Sequence, residues 1–206
     1  MIRVSMKLPD HIAIAVSGGP DSMAALDFLS RKKTVLALHF NHNTPSSNAA
    51  EHIVSDYCAM RNIPLAIGEL ETDMPTGMSR EDFWRKQRYK FFDWAAGDLS
   101  VITCHHLDDV METWLFTSLH GDPRLIPSIR GRYLRPFLGT RKAVFEDWCD
   151  RKEVPYVVDP SNADISFMRN YIRHEVLPRA LRVNPGLSKV LRKKIREEPV
   201  IFNDVD

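Results

Sequence analysis

The sequence predicts an α/β fold in which a parallel sheet is flanked by helices and followed by a short helical extension. Short apolar runs alternate along the chain with longer stretches of helical periodicity. Alternation of this kind is typical of βαβ units, whose helices connect parallel strands. Glycine- or histidine-containing turns follow three of the apolar runs. We expect one α/β domain over residues 1–160 and a basic helical extension, packed on the same domain, over residues 161–206.

The chain begins with two predicted strand–helix units. His11–Val16 is a β-branched apolar run and is predicted to be a buried strand. Ser22–Ser30 is predicted to be the helix that follows it. Thr34–Phe40 is a second buried strand, and Ser46–Arg61 is a second helix with apolar residues on one face.

Two further units are predicted in the middle of the chain. Pro64–Ile67 is a short third strand. Ser79–Ala96 is predicted to be a long helix, because Ser79 is a good capping residue and acidic residues follow in the first turn. Ser100–Thr103 is a fourth strand and Leu107–Leu119 the helix after it.

The last third of the predicted domain is less regular. Tyr133–Phe137 is expected to be irregular because Pro136 cannot donate to a sheet. Arg141–Lys152 is predicted to be a helix, and Val154–Val158 is the final strand candidate. The tryptophans occupy helical positions and are expected in the core: Trp84, Trp94, Trp114 and Trp148.

Composition and charge limit the classes of protein to be considered. The chain has 206 residues, 44% of them apolar and 27% charged, as is usual for a globular protein with one substantial domain. A net charge of +1 means that nucleic-acid binding would depend on local basic patches. Cys58, Cys104 and Cys149 form no Cys-x-x-Cys pair, which argues against zinc, an iron–sulfur cluster and a disulfide framework. The sequence has no signal-peptide pattern and no apolar run of membrane-spanning length, so we expect a cytoplasmic protein.

The turn after the first strand, Ser17-Gly18-Gly19-Pro20-Asp21-Ser22, is the strongest sign of a ligand site. Its glycines let the backbone approach a ligand, and the amides at the start of the next helix attract negative charge. We expect Asp21 or Ser22 to cap that helix, which would begin near Met23. The turn lacks the Gly-Lys-Ser/Thr ending of an ordinary P-loop. It is predicted to hold phosphate groups, the alternative being a glycine-rich turn with no ligand.

A second polar cluster, His105-His106-Leu107-Asp108-Asp109 with Glu112, follows the fourth strand and opens a helix. Helical spacing would bring Asp108 near Glu112 and His105 near Asp109. Such groups could carry magnesium, proton transfer or both, the alternative being a capped helix with solvated histidines. Because ligands of parallel sheets bind beyond the carboxyl ends of the strands, we expect this cluster, the glycine turn and His39–His42 to form one active site.

Further motifs occur in the order typical of one enzyme family. They are Asn41-His42, Arg85-x-x-Arg88-Tyr89, Arg135-Pro136, Asp159-Pro160-Ser161-Asn162 and Arg169-Asn170-x-Ile172-Arg173. The glycine turn resembles the Ser-Gly-Gly-x-Asp-Ser PP-loop of N-type ATP pyrophosphatases, and the His-x-Asp-Asp-x-x-Glu-Thr element resembles one that tRNA thiolases share. The two motifs that begin at Asp159 and Arg169 favour the lysidine branch of these enzymes. With them, residues 11–180 resemble the tRNA(Ile)-lysidine synthetases. The resemblance implies a Rossmann-like PP-loop domain of the adenine nucleotide alpha hydrolase type.

The resemblance also implies an ATP-dependent ligation on a tRNA anticodon in two steps. The oxygen on carbon 2 of the wobble cytidine, in the CAU anticodon of tRNA(Ile), attacks the α-phosphate of ATP and releases pyrophosphate. The ε-amine of free L-lysine then displaces AMP from that carbon and forms lysidine. The implied substrates and partners are therefore ATP with Mg²⁺, free lysine and this tRNA.

The resemblance and the needs of this chemistry together assign roles to residues. Catalysis is assigned to Asp21, Asp109, Asp108 and Arg85. Asp109 is the first choice and Asp108 the second for the base that accepts the lysine proton, and Asp21 is the candidate ligand of Mg²⁺. ATP is expected to contact Ser17, Gly18, Gly19, Pro20, Asp21, Ser22, His42 and His105. Lysine or tRNA is expected to contact Glu112, Arg88, Arg135, Asn162, Arg169, Asn170 and Arg173.

Several of these motifs also have purely structural interpretations. Arg85 and Arg88 could form a solvated basic edge of their helix. Arg135-Pro136 could simply end a strand, and Asp159-Pro160-Ser161-Asn162 is favourable turn chemistry whatever its function.

The C-terminal stretch is basic and has apolar residues interleaved. Its charged residues are Arg179, Arg182, Lys189, Arg192, Lys193, Lys194 and Arg196. It is expected either to contact tRNA phosphates or to be a solvated helix docked on the domain. Longer lysidine synthetases continue into further tRNA-binding domains, whereas this sequence stops soon after Arg196. We expect a compact form in which this stretch partly substitutes for those domains.

Two other functions remain open. The first is another PP-loop tRNA-modifying enzyme such as a thiolase, against which the lack of a Cys-x-x-Cys pair counts. The second is an inactive nucleotide- or RNA-binding remnant. The intact glycine turn and the acidic residues Asp108, Asp109 and Glu112 argue against such decay.

Overall fold

The computed structural model describes residues 1–70, 74–197 and 199–202. Its strands are β1 (His11–Ala15), β2 (Thr34–Asn41), β3 (Leu65–Glu69), β4 (Val101–Ile102), β5 (Ile129–Arg130), β6 (Tyr133–Leu134) and β7 (Ile201–Phe202). Its α-helices are α1 (Pro20–Ser30), α2 (Pro45–Met60), α3 (Arg80–Ala95), α4 (Leu107–Leu119), α5 (Lys142–Lys152), α6 (Met168–Tyr171), α7 (Leu177–Val183) and α8 (Leu187–Glu197). A 3-10 turn covers Pro160–Ala163, and a π-helical turn, Ile172–Val176, joins α6 to α7. Among the described residues, no helix combines the length and the apolar character needed to cross a membrane.

The strands form one mostly parallel sheet, which confirms the predicted fold class. Its order is β3-β2-β1-β4-β6-β5-β7. β1 pairs in parallel with both β2 and β4, so the glycine turn follows a central strand. β5 runs antiparallel to β6 and parallel to β7. The carboxyl ends of β1, β2 and β4 therefore meet at one edge of the sheet, where ligands of such folds bind.

Alternate residues of β1 face two different apolar layers. Ile12 and Ile14 are buried on the side that α1, α2 and α5 cover, whereas Ala13 faces α3. The two-residue period of a strand explains this division. A third cluster joins α4 to the C-terminal helices, where Leu187 and Leu191 of α8 pack against α4. The helical layers hold the sheet rigid below the edge that carries the polar motifs.

The first helix begins earlier than its capping residues predict. α1 starts at Pro20 with Gly19 as the N-cap, and no side chain caps it, so the expected start near Met23 is wrong. The fixed φ of proline suits the first helical position, where its missing N–H is not needed. Ser22 is thereby free to bind the turn itself instead of capping the helix.

Two predictions about strands and one about the core are wrong. Val154–Val158 is irregular: Pro155 cannot donate to a sheet, and the Val157 N–H donates instead to the Gly18 carbonyl at 2.9 Å. Tyr133–Phe137, expected to be irregular, begins with β6, which pairs with β4 and β5. β5, β6 and β7 are each two residues long and lack a readable pattern. Trp94 is 79% exposed, because it lies on the outer face of α3.

Asp27 on α1 is a buried polar centre that links three helices. Its side chain accepts hydrogen bonds from Arg31 Nε at 2.9 Å, Tyr57 OH of α2 at 2.7 Å and Trp148 Nε1 of α5 at 2.9 Å. Burial by itself raises the pKa of the Asp27 carboxyl, but these hydrogen bonds outweigh it and the net pKa is lowered. The charged carboxylate therefore contributes to stability.

We expect Asp27→Ala to lower the free energy of unfolding by about 3 kcal/mol, because Tyr57 and Trp148 would lose a buried acceptor. A carboxyl with a lowered folded-state pKa stabilises above its unfolded value of about 3.9, and this contribution is lost as the pH falls below that value. Denaturant unfolding should therefore show a smaller difference between wild type and variant in acid than at neutral pH. Asp147→Ala, which removes an exposed pair with Arg151, is the control and should cost less than about 1 kcal/mol. Equal stability of wild type and Asp27→Ala would contradict the prediction.

Candidate active site

The glycine turn between β1 and α1 is held open by its own serines. The Ser17 N–H donates to Ser22 Oγ at 3.1 Å, and Ser22 Oγ–H donates to the Gly19 carbonyl at 3.0 Å. The Ser17 and Ser22 hydroxyls lie 3.2 Å apart. The turn is thus preformed, and the amides at the start of α1 face the space above the sheet edge.

Glycine is required at the two positions of the turn for different reasons. Gly18 has φ +83, and a Cβ there would lie 2.7 Å from the Ala50 Cβ on α2, so the fold itself requires glycine. Gly19 has φ −76, and a Cβ would meet nothing nearer than Ser17 Oγ at 3.6 Å. The fold can therefore accept a side chain at residue 19, and a close approach of a ligand is the remaining reason for glycine there.

The two glycines give a matched pair of predictions. Gly18→Ala should lower the free energy of unfolding by about 2–4 kcal/mol through backbone strain and overpacking. Gly19→Ala should lower the free energy of unfolding by about 1 kcal/mol or less. It should weaken ATP binding by about 1.5–3 kcal/mol, because the added methyl would displace a phosphate and so remove a hydrogen bond to a charged group. Thermal unfolding and ATP titration of both variants test this. Wild-type ATP affinity in Gly19→Ala would place the phosphates elsewhere.

A cavity of about 580 Å³ opens beside the glycine turn. This volume is in the range of about 300–1,000 Å³ that is usual for small-molecule sites. Twelve of the predicted site residues line it: Ser17, Gly19, Pro20, Asp21, Ser22, His42, Arg85, Arg88, His105, Asp109, Asn162 and Arg173. Among the described residues, the other predicted site residues lie outside that lining: Gly18, Asp108, Glu112, Arg135, Arg169 and Asn170. The cavity thus collects motifs from the whole length of the chain.

His106 lies between two carboxylates at the base of this cavity. It is the N-cap of α4, and its Nδ1 accepts the Asp109 N–H at 3.2 Å. Asp109 Oδ2 in turn accepts the His106 N–H at 2.9 Å, and His106 Nε2 lies 3.6 Å from Asp21 Oδ1. Burial lowers the pKa of His106, but Asp21, Asp109 and Asp108 together outweigh it and raise the net value. His106 thereby connects the glycine turn to the acidic helix start.

Asp109 and Asp21 both have unusual surroundings. Burial raises the pKa of the Asp109 carboxyl, and the nearby Asp21 charge adds to that shift. Asp21 Oδ1 is buried and has no hydrogen-bond partner within the described residues. A raised carboxyl pKa suits a general base, and an unpartnered buried oxygen is a place for a cation or a donor from a ligand.

Asp108 and Glu112 face other partners. Asp108 accepts from Arg141 Nε at 3.0 Å and from the Lys142 N–H at 2.8 Å, so it joins α4 to the start of α5. Glu112 is 7% exposed. Its Oε1 accepts a hydrogen bond from Arg173 Nε at 2.6 Å, and its Oε2 accepts one from Arg173 Nη2 at 2.9 Å. Burial raises the pKa of the Glu112 carboxyl, against the effect of these hydrogen bonds. Glu112 therefore orients Arg173, whose Nη2 also lies 3.6 Å from Asp109 Oδ1.

His42 and His105, two histidines of the cavity wall, are held neutral. Burial lowers the pKa of His42 to about 4, and Arg88 adds to the shift. Burial lowers the pKa of His105 to about 3, with Arg135, Arg85 and Arg169 among the contributing cations. His42 stacks on Trp84 with ring centroids 4.6 Å apart. Neutral imidazoles and aromatic rings suit a purine base better than they suit phosphate.

The arginines near these histidines form a cationic group. Arg85 lies over the Tyr89 ring at 4.7 Å, and burial lowers the pKa of Arg88. Arg135 is 3% exposed, donates from Nη1 to the Pro127 carbonyl, and has an Nε without a hydrogen-bond partner in the described chain. Burial also lowers the pKa of Arg135. Cations held this way are favourable positions for an anionic ligand.

The Asp159-to-Arg173 motifs fold as one clamp beside the cavity. The Asn170 amide donates to the Ser161 and Asp164 carbonyls at 2.8 and 2.9 Å. Asn162 lines the cavity, and its carbonyl contacts His174 Nε2 at 2.8 Å. Asn170 thus holds the loop, while Asn162 and Arg173 face the site. The π-helical turn that carries Arg173 is a feature often found at functional sites.

Three residues that line the cavity are given no individual role by the sequence motifs. His106 stands beside His105 in its motif, although only its position directly before α4 makes it the N-cap. His39 lines the cavity, and its Nδ1 contacts the Val16 carbonyl at 2.8 Å. Trp84 is predicted in the core but stacks on His42 at the cavity. Trp84 precedes Arg85 in its motif, and that adjacency is the signal that could have marked it.

Comparison with known proteins identifies the family to which the chain belongs. A family described as "PP-loop domain" matches residues 4–180. The chain belongs to the PP-loop family. The matched residues include the glycine turn, Ser17–Ser22, which we call the PP-loop from here on.

Individual relatives of this PP-loop chain share a common name. A tRNA(Ile)-lysidine synthase of Thermotoga sp. (strain RQ2) is 31% identical over 96% of the chain, and one of Geobacter sulfurreducens is 32% identical over 89%. The chain covers 51% and 43% of these relatives, so it spans about half their length. The solved NH3-dependent NAD synthetase from Campylobacter jejuni has a TM-score of 0.51 and 17% identity over 91% of this chain and 85% of its own. That likeness concerns the fold alone.

Proposed function

We propose that this PP-loop chain ligates free L-lysine to carbon 2 of the wobble cytidine in the CAU anticodon of tRNA(Ile). The observation that carries the proposal is that the PP-loop, Asp109 and Arg173 line the same cavity. ATP would be split to AMP and pyrophosphate through an adenylated tRNA intermediate. The names of the relatives support this substrate class.

The PP-loop half of the cavity would bind ATP. The amides and hydroxyls of Ser17–Ser22 face the charge of the leaving pyrophosphate. His42 and Trp84 offer a neutral aromatic wall for the adenine. His105, also neutral, lines the same cavity. Arg85 lines it too and would stabilise charge at the α-phosphate.

Mg²⁺ fits this site only as a companion of ATP. In the described part of the chain, no group of three or more His, Cys, Asp or Glu side chains could hold a metal. Mg²⁺ bound to ATP needs only one or two carboxylates besides the phosphates, and Asp21 with its unpartnered Oδ1 meets that need. When bound there, the ion would offset the charge of the phosphates.

The acidic half of the cavity would act on lysine. The ε-amine must lose a proton as it attacks carbon 2 and AMP leaves with the bonding electrons. Asp109 is the acceptor that we favour over Asp108, because Asp109 lines the cavity and Asp108 is held by Arg141 and Lys142. Arg173, whose Nε and Nη2 donate to Glu112, would hold the α-carboxylate of lysine through its remaining N–H groups.

Incubation with labelled lysine, ATP and an unmodified tRNA(Ile) transcript tests the proposal. We expect lysine to enter the RNA with release of one AMP and one pyrophosphate for each lysine. A transcript with uridine at the wobble position is the control and should accept no lysine. Incorporation of sulfur instead of lysine would favour a thiolase. Burial raises the pKa of Cys104, the cysteine that lines the cavity, and so disfavours the reactive thiolate that a thiolase would need.

We further propose that α8 contacts the tRNA backbone. Leu187 and Leu191 pack on α4, which leaves the basic residues of the helix outside the core. Arg192 Nε donates to the Gly139 carbonyl at 3.1 Å, and Lys193 lies 3.8 Å from Glu197. The helix therefore both packs on the domain and presents positive charge.

Replacing Arg192, Lys193, Lys194 and Arg196 together by Gln should weaken tRNA binding and leave ATP affinity unchanged. The slope of log affinity against log salt should fall by about 0.7–0.9 for each phosphate that the variant no longer neutralises. Leu191→Ala is the matched control: it should lower thermal stability without changing that slope. Equal slopes of log affinity against log salt for wild type and the Gln variant would contradict the proposal that α8 contacts tRNA.

A further inference from the structure

A group of exposed apolar side chains lies beside the cavity on α6. Phe167, Met168 and Tyr171 are 47%, 60% and 44% exposed. Phe167 is the N-cap of α6, and the Tyr171 N–H donates to its carbonyl at 2.9 Å, so the two rings lie one helical turn apart. Ile165 continues the group at 51% exposure. We call Phe167, Met168 and Tyr171 the aromatic surface.

The clamp fixes the aromatic surface next to the site. Asn162 before it and Arg173 after it both line the cavity. The Asn170 side chain, between the two rings in sequence, ties α6 to the carbonyls of Ser161 and Asp164. Exposed rings held on a fixed support lose little conformational freedom when they bind a partner.

A cation for an anionic partner lies within the aromatic surface's own helix. Arg169 is exposed and, like Arg85, lowers the pKa of His105. The nearby carboxylates of Asp159 and Asp164 already accept the N–H groups of Ser161 and Ser166, each at 2.9 Å. The aromatic surface therefore combines two rings with one exposed cation whose charge reaches His105 in the cavity wall.

Rings flanked by arginines are the usual means of binding unpaired nucleotides, because a base stacks on a ring while a cation contacts its phosphate. We propose that Phe167 and Tyr171 stack on the unpaired bases that flank the target base of the RNA substrate. This proposal rests on the proposed function. Stacking there would hold the loop open while the target base enters the cavity. Arg169 would contact the intervening phosphate.

The experiment uses the full chain with ATP and a short stem–loop RNA bearing a CAU loop, in which 2-aminopurine replaces the adenine beside the target cytidine. Stacking on a ring should quench this fluorophore. Phe167→Ala and Tyr171→Ala should each lower RNA affinity about tenfold and reduce the quenching, since stacking on one ring accounts for roughly that factor. Phe167→Tyr and Tyr171→Phe should retain both. Trp94→Ala, which removes another exposed ring, is the control and should leave both unchanged.

Replacing the rings by leucine separates stacking from apolar contact. Phe167→Leu and Tyr171→Leu should bind RNA as weakly as the alanine variants, and wild-type affinity in the leucine variants would overturn stacking. Unchanged RNA affinity in both alanine variants would also overturn the proposal, as would self-association of the wild type that Phe167→Ala abolishes. ATP affinity, measured without RNA, shows that each variant is folded.

Lysine incorporation separates this proposal from the proposed function. If RNA binding depends on Phe167 and Tyr171 but no lysine is incorporated, the aromatic surface stands and the ligation does not. If lysine is incorporated and both alanine variants bind RNA normally, the ligation stands and the aromatic surface does not.

Discussion

Asp21→Ala is expected to slow pyrophosphate release by about 100- to 1,000-fold, the usual effect of removing one preorganised electrostatic group. Asp21 Oδ1 is buried at the cavity without a hydrogen-bond partner in the described residues, so its charge can act on a cation or on the ligand. The fold should survive, because a carboxylate in the first turn of a helix contributes only about 0.3–1 kcal/mol. Rapid-quench measurement of pyrophosphate with saturating tRNA and ATP tests the prediction.

The control for Asp21 is Glu146, whose side chain is 43% exposed. Glu146 also lines the cavity, and its Oε1 lies 3.7 Å from Lys142 Nζ. Glu146→Ala should change pyrophosphate release by less than about tenfold, since an exposed charge is screened by solvent. Near-normal turnover in a folded Asp21→Ala protein would refute the assignment of Asp21. A loss in Glu146→Ala as large as that in Asp21→Ala would show that overall charge, not position, matters.

Asp109→Asn is expected to lower lysine transfer by about 100- to 10,000-fold, the range for loss of a general base. Asparagine keeps an oxygen that can accept the His106 N–H, so the cap of α4 is preserved. ATP affinity should change much less, because we propose that the carboxylate acts where lysine attacks. Single-turnover transfer from preformed adenylated tRNA isolates this step from adenylation.

Asp108→Asn is the matched comparison, since it alters the neighbouring carboxylate outside the cavity. It weakens the hydrogen bonds with Arg141 and the Lys142 N–H and should therefore lower thermal stability more than transfer. If Asp108→Asn abolished transfer and Asp109→Asn did not, the ranking of the two residues would be reversed, although the site would remain.

Local motifs were predictable from the sequence because their chemistry lies within a few residues. The strand and the turn Ser17–Ser22 follow from a β-branched run and two glycines, whereas the start of the next helix at Pro20 was not predicted. The capped start of α4 was equally readable, since Asp108 and Asp109 lie where a helix dipole favours carboxylates. The resemblance to the family rests on the same local motifs.

Elements defined by distant partners were not predictable in this way. Val154–Val158 has strand-forming residues, yet β6 occupies the position beside β4 and the segment instead contacts the PP-loop. β7 pairs with β5, about seventy residues earlier in the chain. Such short strands exist only because a partner is already in place, so no local pattern marks them.

The sequence by itself determined the α/β class, the PP-loop and the acidic start of α4, because periodicity, glycine and capping act through neighbouring residues. Only the tertiary structure decided that Asp109 faces the cavity while Asp108 binds Arg141, although the two are adjacent in sequence. Successive residues on a helix point about 100° apart, and which direction faces the site depends on where the helix packs. The pairing of Glu112 with Arg173, 61 residues away, was decided in the same manner. Glu112 orients Arg173 because the Asp159-to-Arg173 clamp places Arg173 beside α4.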